Sequence, residues 1–210
     1  MVKKNNFGGY VIIPKMGITL AQTFKLWNSQ EDNLTNENLT ENRLNELDPE
    51  TRLKVSVEKI TNGKNSESQR WDCLIIISEL YVKLKKNQYP DLGIKKIKKM
   101  ISKIESTLKW MIHNEKNCVV HHEVAYQVAA RNITNLIPDM VDAALHSKSI
   151  VSRHEYLECL GVMKAFDEIK KILPKALKDK NPDVRETAQF AQDRLSRYSN
   201  EKDWSSLEIV

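Results

Sequence analysis

Glycine and proline are scarce, at six each, so few positions break a helix by composition. Cysteine is scarcer still. Cys73, Cys118 and Cys159 are odd in number, far apart and without C-x-x-C spacing. That excludes a disulfide framework or a zinc knuckle and fits a reducing compartment, the cytoplasm. No stretch approaches the ~18 apolar residues of a membrane span. The apolar run after Lys3 and Lys4, broken by Pro14, is too short for a signal peptide. The Asn-x-Thr sequons at Asn33, Asn38 and Asn132 therefore carry no weight. Also missing are a phosphate-binding glycine loop, a G-x-S-x-G elbow and a dinucleotide fingerprint.

What remains is a chain of 210 residues, 40% hydrophobic and 29% charged, whose second half is dominated by Leu, Ile, Lys, Glu and Ala. This composition predicts an all-α fold. A net charge of +5 permits an acidic partner and does not require nucleic acid.

Three regions are expected. Residues 1–65 form an N-terminal extension: a short strand or extended arm in Gly8–Pro14, a short helix over Thr19–Trp27, a polar linker over Asn33–Asn45, and a helix over Pro49–Ile60 with Leu53, Val57 and Ile60 inward. Residues 66–199 form a helical-repeat domain, and 200–210 a loose polar tail. The domain opens with a helix from Ser68, whose apolar face runs from Trp71 to Leu84. A long helix follows, with a stripe at Ile94, Ile97, Ile101, Ile104, Leu108 and Met111. Its Lys95, Lys96, Lys98, Lys99 and Lys103 read as a solvated face or a dock for an acidic partner. No aromatic residue interleaves them, which disfavours nucleic acid.

Two His-Glu dipeptides follow, His122-Glu123 and His154-Glu155, 32 residues apart. Arg185-Glu186 comes 31 residues later and reads as a third copy with arginine in place of histidine. Such a period signals stacked helix pairs, each burying its apolar stripe on its neighbours. Predicted pairs are Val119–Arg131 with Thr134–Leu145, and Val151–Met163 with Phe166–Lys178; a third first-helix runs from Asn181 to Tyr198. Pro138 falls in a first turn, where its missing N–H costs little. Pro174 predicts an interruption. Ala129 and Gly161 are small enough to let stacked helices approach closely. Asn181-Pro182-Asp183-Val184-Arg185 resembles the HEAT-repeat consensus, so the expected architecture is a HEAT-like solenoid.

Equivalent positions in consecutive repeats share one edge of the stack, with helix axes about 8–10 Å apart. Imidazoles from His122 and His154 can there meet one ion, with Glu123 and Glu155 alongside. Two imidazoles and a carboxylate suit non-haem Fe(II), and no thiolate lies in register for a closed zinc site. Neither pair continues as H-E-x-x-H, since Tyr126 and Glu158 occupy the fourth position onward. Metal-free acid–base work by the carboxylates is an alternative. Another is a repeat duplication that kept inert His-Glu pairs on a protein-interaction scaffold. His113 and His121 read as surface residues, and His146 as a partner of a helix C-terminus.

His122-Glu123-Val124-Ala125-Tyr126, then His154-Glu155 with Glu158 and Leu160-Gly161, then Glu186-Thr187-Ala188-Gln189 resemble deoxyhypusine hydroxylase. That family comprises HEAT-repeat di-iron monooxygenases that act on a modified lysine of a translation factor. The resemblance covers residues 119–197. It implies iron bound by His122, His154 and Glu155, with Glu123 holding a substrate amine. The family carries four His-Glu pairs in two halves, whereas this chain carries two. A di-iron centre would then need a homodimer with two such edges face to face, and a mononuclear or inactive site is the alternative.

Overall fold

The computed structural model describes residues 2–4 and 10–12, Leu44 and residues 46–200, with side chains for Leu44 and 46–196. The chain separates into two compact units, Met1–Thr40 and Glu41–Val210. In the first, Tyr10–Ile12 (β2) lies in the expected strand and pairs antiparallel with Val2–Lys4 (β1), Lys3 opposite Val11. The helix expected over Thr19–Trp27 and residues 201–210 of the tail lie outside the described residues. Of the Asn33–Asn45 linker, Leu44 alone is described, and it is helical and buried.

The second unit is all-α. Its helices are α1 (Pro49–Thr61), α2 (Glu67–Lys85), α3 (Ile94–Asn114), α4 (Cys118–Ala130), α5 (Ile137–His146), α6 (Ile150–Val162), α7 (Phe166–Ala176) and α8 (Pro182–Asn200). Most starts are written into the sequence as caps. Asp48 accepts from the Glu50 and Thr51 amides ahead of Pro49, and Ser66 with Gln69 closes a reciprocal capping box. Asn117 and Ser149 cap α4 and α6, and Asn181 accepts from the Asp183 and Val184 amides at the start of α8. These caps recur every 32 residues. After α4 and α6 the backbone turns through left-handed Asn132 and Lys164. The next amides, of Ile133 and Ala165, reach back to Val128 and Leu160, a helix stop that satisfies otherwise unpaired carbonyls.

Packing alternates between two layers. Helices α2, α4, α6 and α8 contact one another in succession, as do α1, α3, α5 and α7, and the layers are tied by neighbours such as α1 with α2 and α5 with α6. Leu74, Ile77, Ile104, Leu108, Val124, Met140, Tyr156 and Leu157 are among the buried side chains of the core. Helix α1, read from sequence as part of the extension, packs on α2 and α3. Leu53 and Ile60 are buried and Val57 partly so.

Three sequence expectations are corrected. Ile94 stands 74% exposed, because at the first residue of α3 it precedes the buried face, which runs through Ile97, Met100, Ile104, Leu108 and Met111. Pro174 does not interrupt α7: it sits near the C-terminal end, and it and Lys170, whose carbonyl loses an amide partner, are both exposed to water. Gly161 is not a point of close approach, since an added Cβ would meet nothing within 4 Å. Among the described residues no helix is long and apolar enough to cross a membrane.

Candidate metal centre

The caps set the register of the site. Five residues beyond Asn117, Ser149 and Asn181 stand His122, His154 and Glu186; six beyond stand Glu123, Glu155 and Thr187. The third repeat is therefore shifted by one from the sequence reading. Arg185 is the counterpart of Arg153, not of His154. Both arginines anchor a helix start, Arg153 on the Ser147 carbonyl and the Asp179 carboxylate, Arg185 on the Asp179 and Lys180 carbonyls. In α4 the same place is held by His121, whose Nε2 reaches the Ile112 carbonyl at 2.8 Å.

His121 is thus buried, 5% exposed, rather than a surface residue. Nε2–H donates to the carbonyl, so Nδ1 accepts from the Ser152 hydroxyl at 2.8 Å. The ring also lies edge-on to Tyr156. Burial holds its pKa below the ordinary histidine value. His113 is half-exposed on Asp139, and His146, at the end of α5, bonds Asp142 four residues back.

A ladder of contacts runs across α4, α6 and α8 on the register just defined. His122 Nε2 donates to Glu155 Oε2 at 3.0 Å, and His154 Nδ1 meets the hydroxyl of Thr187. Each histidine thus touches the residue one repeat onward at the glutamate position. Glu155 takes a second, longer contact from the Cys159 thiol at 3.5 Å. His154 Nε2 faces Glu158 Oε2 at 3.6 Å. One ligand atom each from His154, Glu155 and Glu158 lie within 4.8 Å of one another.

Of the residues expected at the metal, His154 and Glu155 are therefore brought together directly, and His122 joins them through Glu155. Glu123 is turned differently: it is buried, and Gln127 Nε2 donates to its Oε1 at 2.6 Å, while Ser78 of α2 bonds Gln127 Oε1 at 2.6 Å. Two residues were missed from sequence. Glu158 stands four residues after His154, hence on the same helix face. Thr187 was hidden by the one-residue error in register.

The electrostatics follow from three carboxylates crowded at one edge. The hydrogen bond to Glu155 raises the His122 pKa against the effect of burial. Burial, then the neighbouring Glu155, raises that of Glu158. Burial also lifts the Cys159 thiol well above its usual value, so it stays protonated and offers no thiolate. A donor set of imidazole nitrogen and carboxylate oxygen with no thiolate suits divalent first-row metals, Fe(II) among them. Two atoms each about 2.1 Å from a metal lie at most about 4.2 Å apart; the 3.6 Å between His154 and Glu158 is inside that limit. The wider triad would close slightly on an ion. Comparison with protein-family models, with curated proteins and with solved structures finds no match.

Proposed function

We propose that the edge formed by His122, His154, Glu155 and Glu158 binds iron, and that the chain is an O2-using hydroxylase similar to deoxyhypusine hydroxylase. The observation that carries this is the 3.6 Å gap between His154 Nε2 and Glu158 Oε2. With its proton on Nδ1, His154 offers Nε2 as an electron-pair donor beside the Glu158 carboxylate, and the gap is too long for a hydrogen bond between them. A cation would be held between the two. Glu158 thereby joins His154 and Glu155 as a ligand, with His122 on the flank of Glu155. Iron bound here would supply reductive activation of O2, with electrons from an external donor and the second oxygen atom leaving as water. Glu123, held by Gln127, would bind the ammonium group of an amine-bearing side chain or small molecule. A homodimer placing two such edges face to face would make the centre di-iron.

A second function, a non-enzymatic scaffold for a protein partner, is favoured by the ladder itself. His122 on Glu155, His154 on Thr187 and Glu123 on Gln127 are each partnered within the chain. Iron content per chain, absorption spectrum and solution mass on one aerobic preparation separate the two. About one iron per chain in a dimer supports the hydroxylase. A stable protein that takes up no Fe(II) leaves the scaffold.

A further inference from the structure

We infer that Thr187, on the third repeat, is a positioning residue that fixes the His154 tautomer and so presents Nε2 as a lone pair. The inference rests on the metal site proposed above, but its geometry is independent of any ion. Two proton arrangements are open to the His154–Thr187–Asp183 chain. In the first, His154 Nδ1–H donates to Thr187 Oγ1, and the hydroxyl donates onward to the Asp183 carbonyl at 2.9 Å. In the second, the hydroxyl donates to Nδ1, which puts the ring proton on Nε2. There it faces Glu158 Oε2 at 3.6 Å, outside hydrogen-bond range. The first arrangement makes two hydrogen bonds and the second makes one, so the first prevails. A histidine that ligates a metal through one nitrogen characteristically donates the other N–H to a fixed acceptor, and Thr187 provides one.

The contrast with His122 sharpens the assignment. At the same step of the ladder His122 meets a carboxylate through Nε2, whereas His154 meets a hydroxyl through Nδ1. With threonine in place of glutamate at this register position, the second ring meets its partner through Nδ1, and its Nε2 faces Glu158. The helix α8, which contributes no ligand, becomes part of the site through one hydroxyl.

The test uses the full chain and its T187V and T187S variants. Ring 15N shifts of metal-free protein are recorded about two pH units above the ordinary histidine value near 6.5. Fe(II) affinity is then measured anaerobically by equilibrium dialysis. Wild type is expected to show His154 protonated on Nδ1. T187V is expected to lose that single tautomer and about 10–100-fold in Fe(II) affinity, and T187S to restore both. Circular dichroism of each variant controls for folding. Fe(II) uptake unchanged in T187V, or His154 protonated on Nε2 in wild type, overturns the inference and leaves the metal site standing. No Fe(II) uptake by wild type overturns the metal site and with it the role of Thr187.

Discussion

His121 and His122 are adjacent in sequence and opposite in their dependence on pH. His121 is buried with both nitrogens used, and burial depresses its pKa. Protons therefore bind the unfolded chain more readily, and its contribution is complete above the unfolded value near 6.5 and is lost as pH falls through the folded pKa. His122 is the reverse: Glu155 raises its pKa, so its contribution is complete below about 6.5 and is lost as pH rises through the folded value. H121Q should make stability less sensitive to acid between neutrality and pH about 5, and H122Q should make it less sensitive to alkali above 6.5. Urea unfolding of the three proteins across that range checks this, and slopes that change in the same direction would refute it. H121A should further cost roughly 2–4 kcal/mol, because the Ile112 carbonyl and Ser152 hydroxyl both lose a buried partner.

At the scale of the helix, an arginine near the N-terminus ties a start to the loop and to the next pair. Arg70 of α2 makes a two-pronged bond with Glu115 at 3.0 Å on each prong and holds the Asn65 carbonyl. Arg153 of α6 does the same with Asp179 and Ser147. Glu115 also accepts from the Lys116 and Asn117 amides just before α4. Burial works to raise the Glu115 pKa, but the Arg70 and backbone bonds outweigh it and hold it low. Its contribution is therefore present above the unfolded value near 4.3 and is lost as pH falls through the folded pKa. R70A should cost about 3–5 kcal/mol by stranding the buried carboxylate. R70K should recover little, because a lysine cannot span both oxygens and the Asn65 carbonyl. Chemical denaturation of both variants measures it, and a full rescue by lysine would show that charge alone suffices.

The same element scale explains what could be read in advance. Helix spans from 118 onward follow from caps, prolines and apolar spacing, all local signals, and were expected to within a few residues. The site was legible only in part. His122, His154 and Glu155 stand out because they repeat. Glu158 does not repeat, as Gln189 and Phe190 occupy the nearest places in the next helix. The register of the third repeat was misread by one because Arg185-Glu186 imitates a His-Glu pair, while the cap at Asn181, which decides the matter, resembles any other turn asparagine. His121 looked superficial because its partners lie 9 and 31 residues away, a separation no local pattern reports.

For the whole molecule, metal binding and stability are linked, since the helical spacing of His154, Glu155 and Glu158 in α6 and the approach of His122 from α4 exist only in the folded stack. Free Fe(II) at about 100 times its dissociation constant should stabilise the fold by about 2.7 kcal/mol. The unfolding midpoint under anaerobic conditions reads this directly. H154A and E158Q should each abolish most of the shift. His113, Asp139, Asp142 and His146 make a chain of histidine–carboxylate contacts across α3 and α5, and H146A serves as the control for adventitious iron. A shift retained in H154A but lost in H146A would move the iron off the α4–α6 edge and remove the basis of the hydroxylase. If instead the shift requires His154 and grows with protein concentration, iron is held between two copies. If it requires His154 and is independent of concentration, each chain binds its own ion through His154, Glu155 and Glu158, and the site is mononuclear.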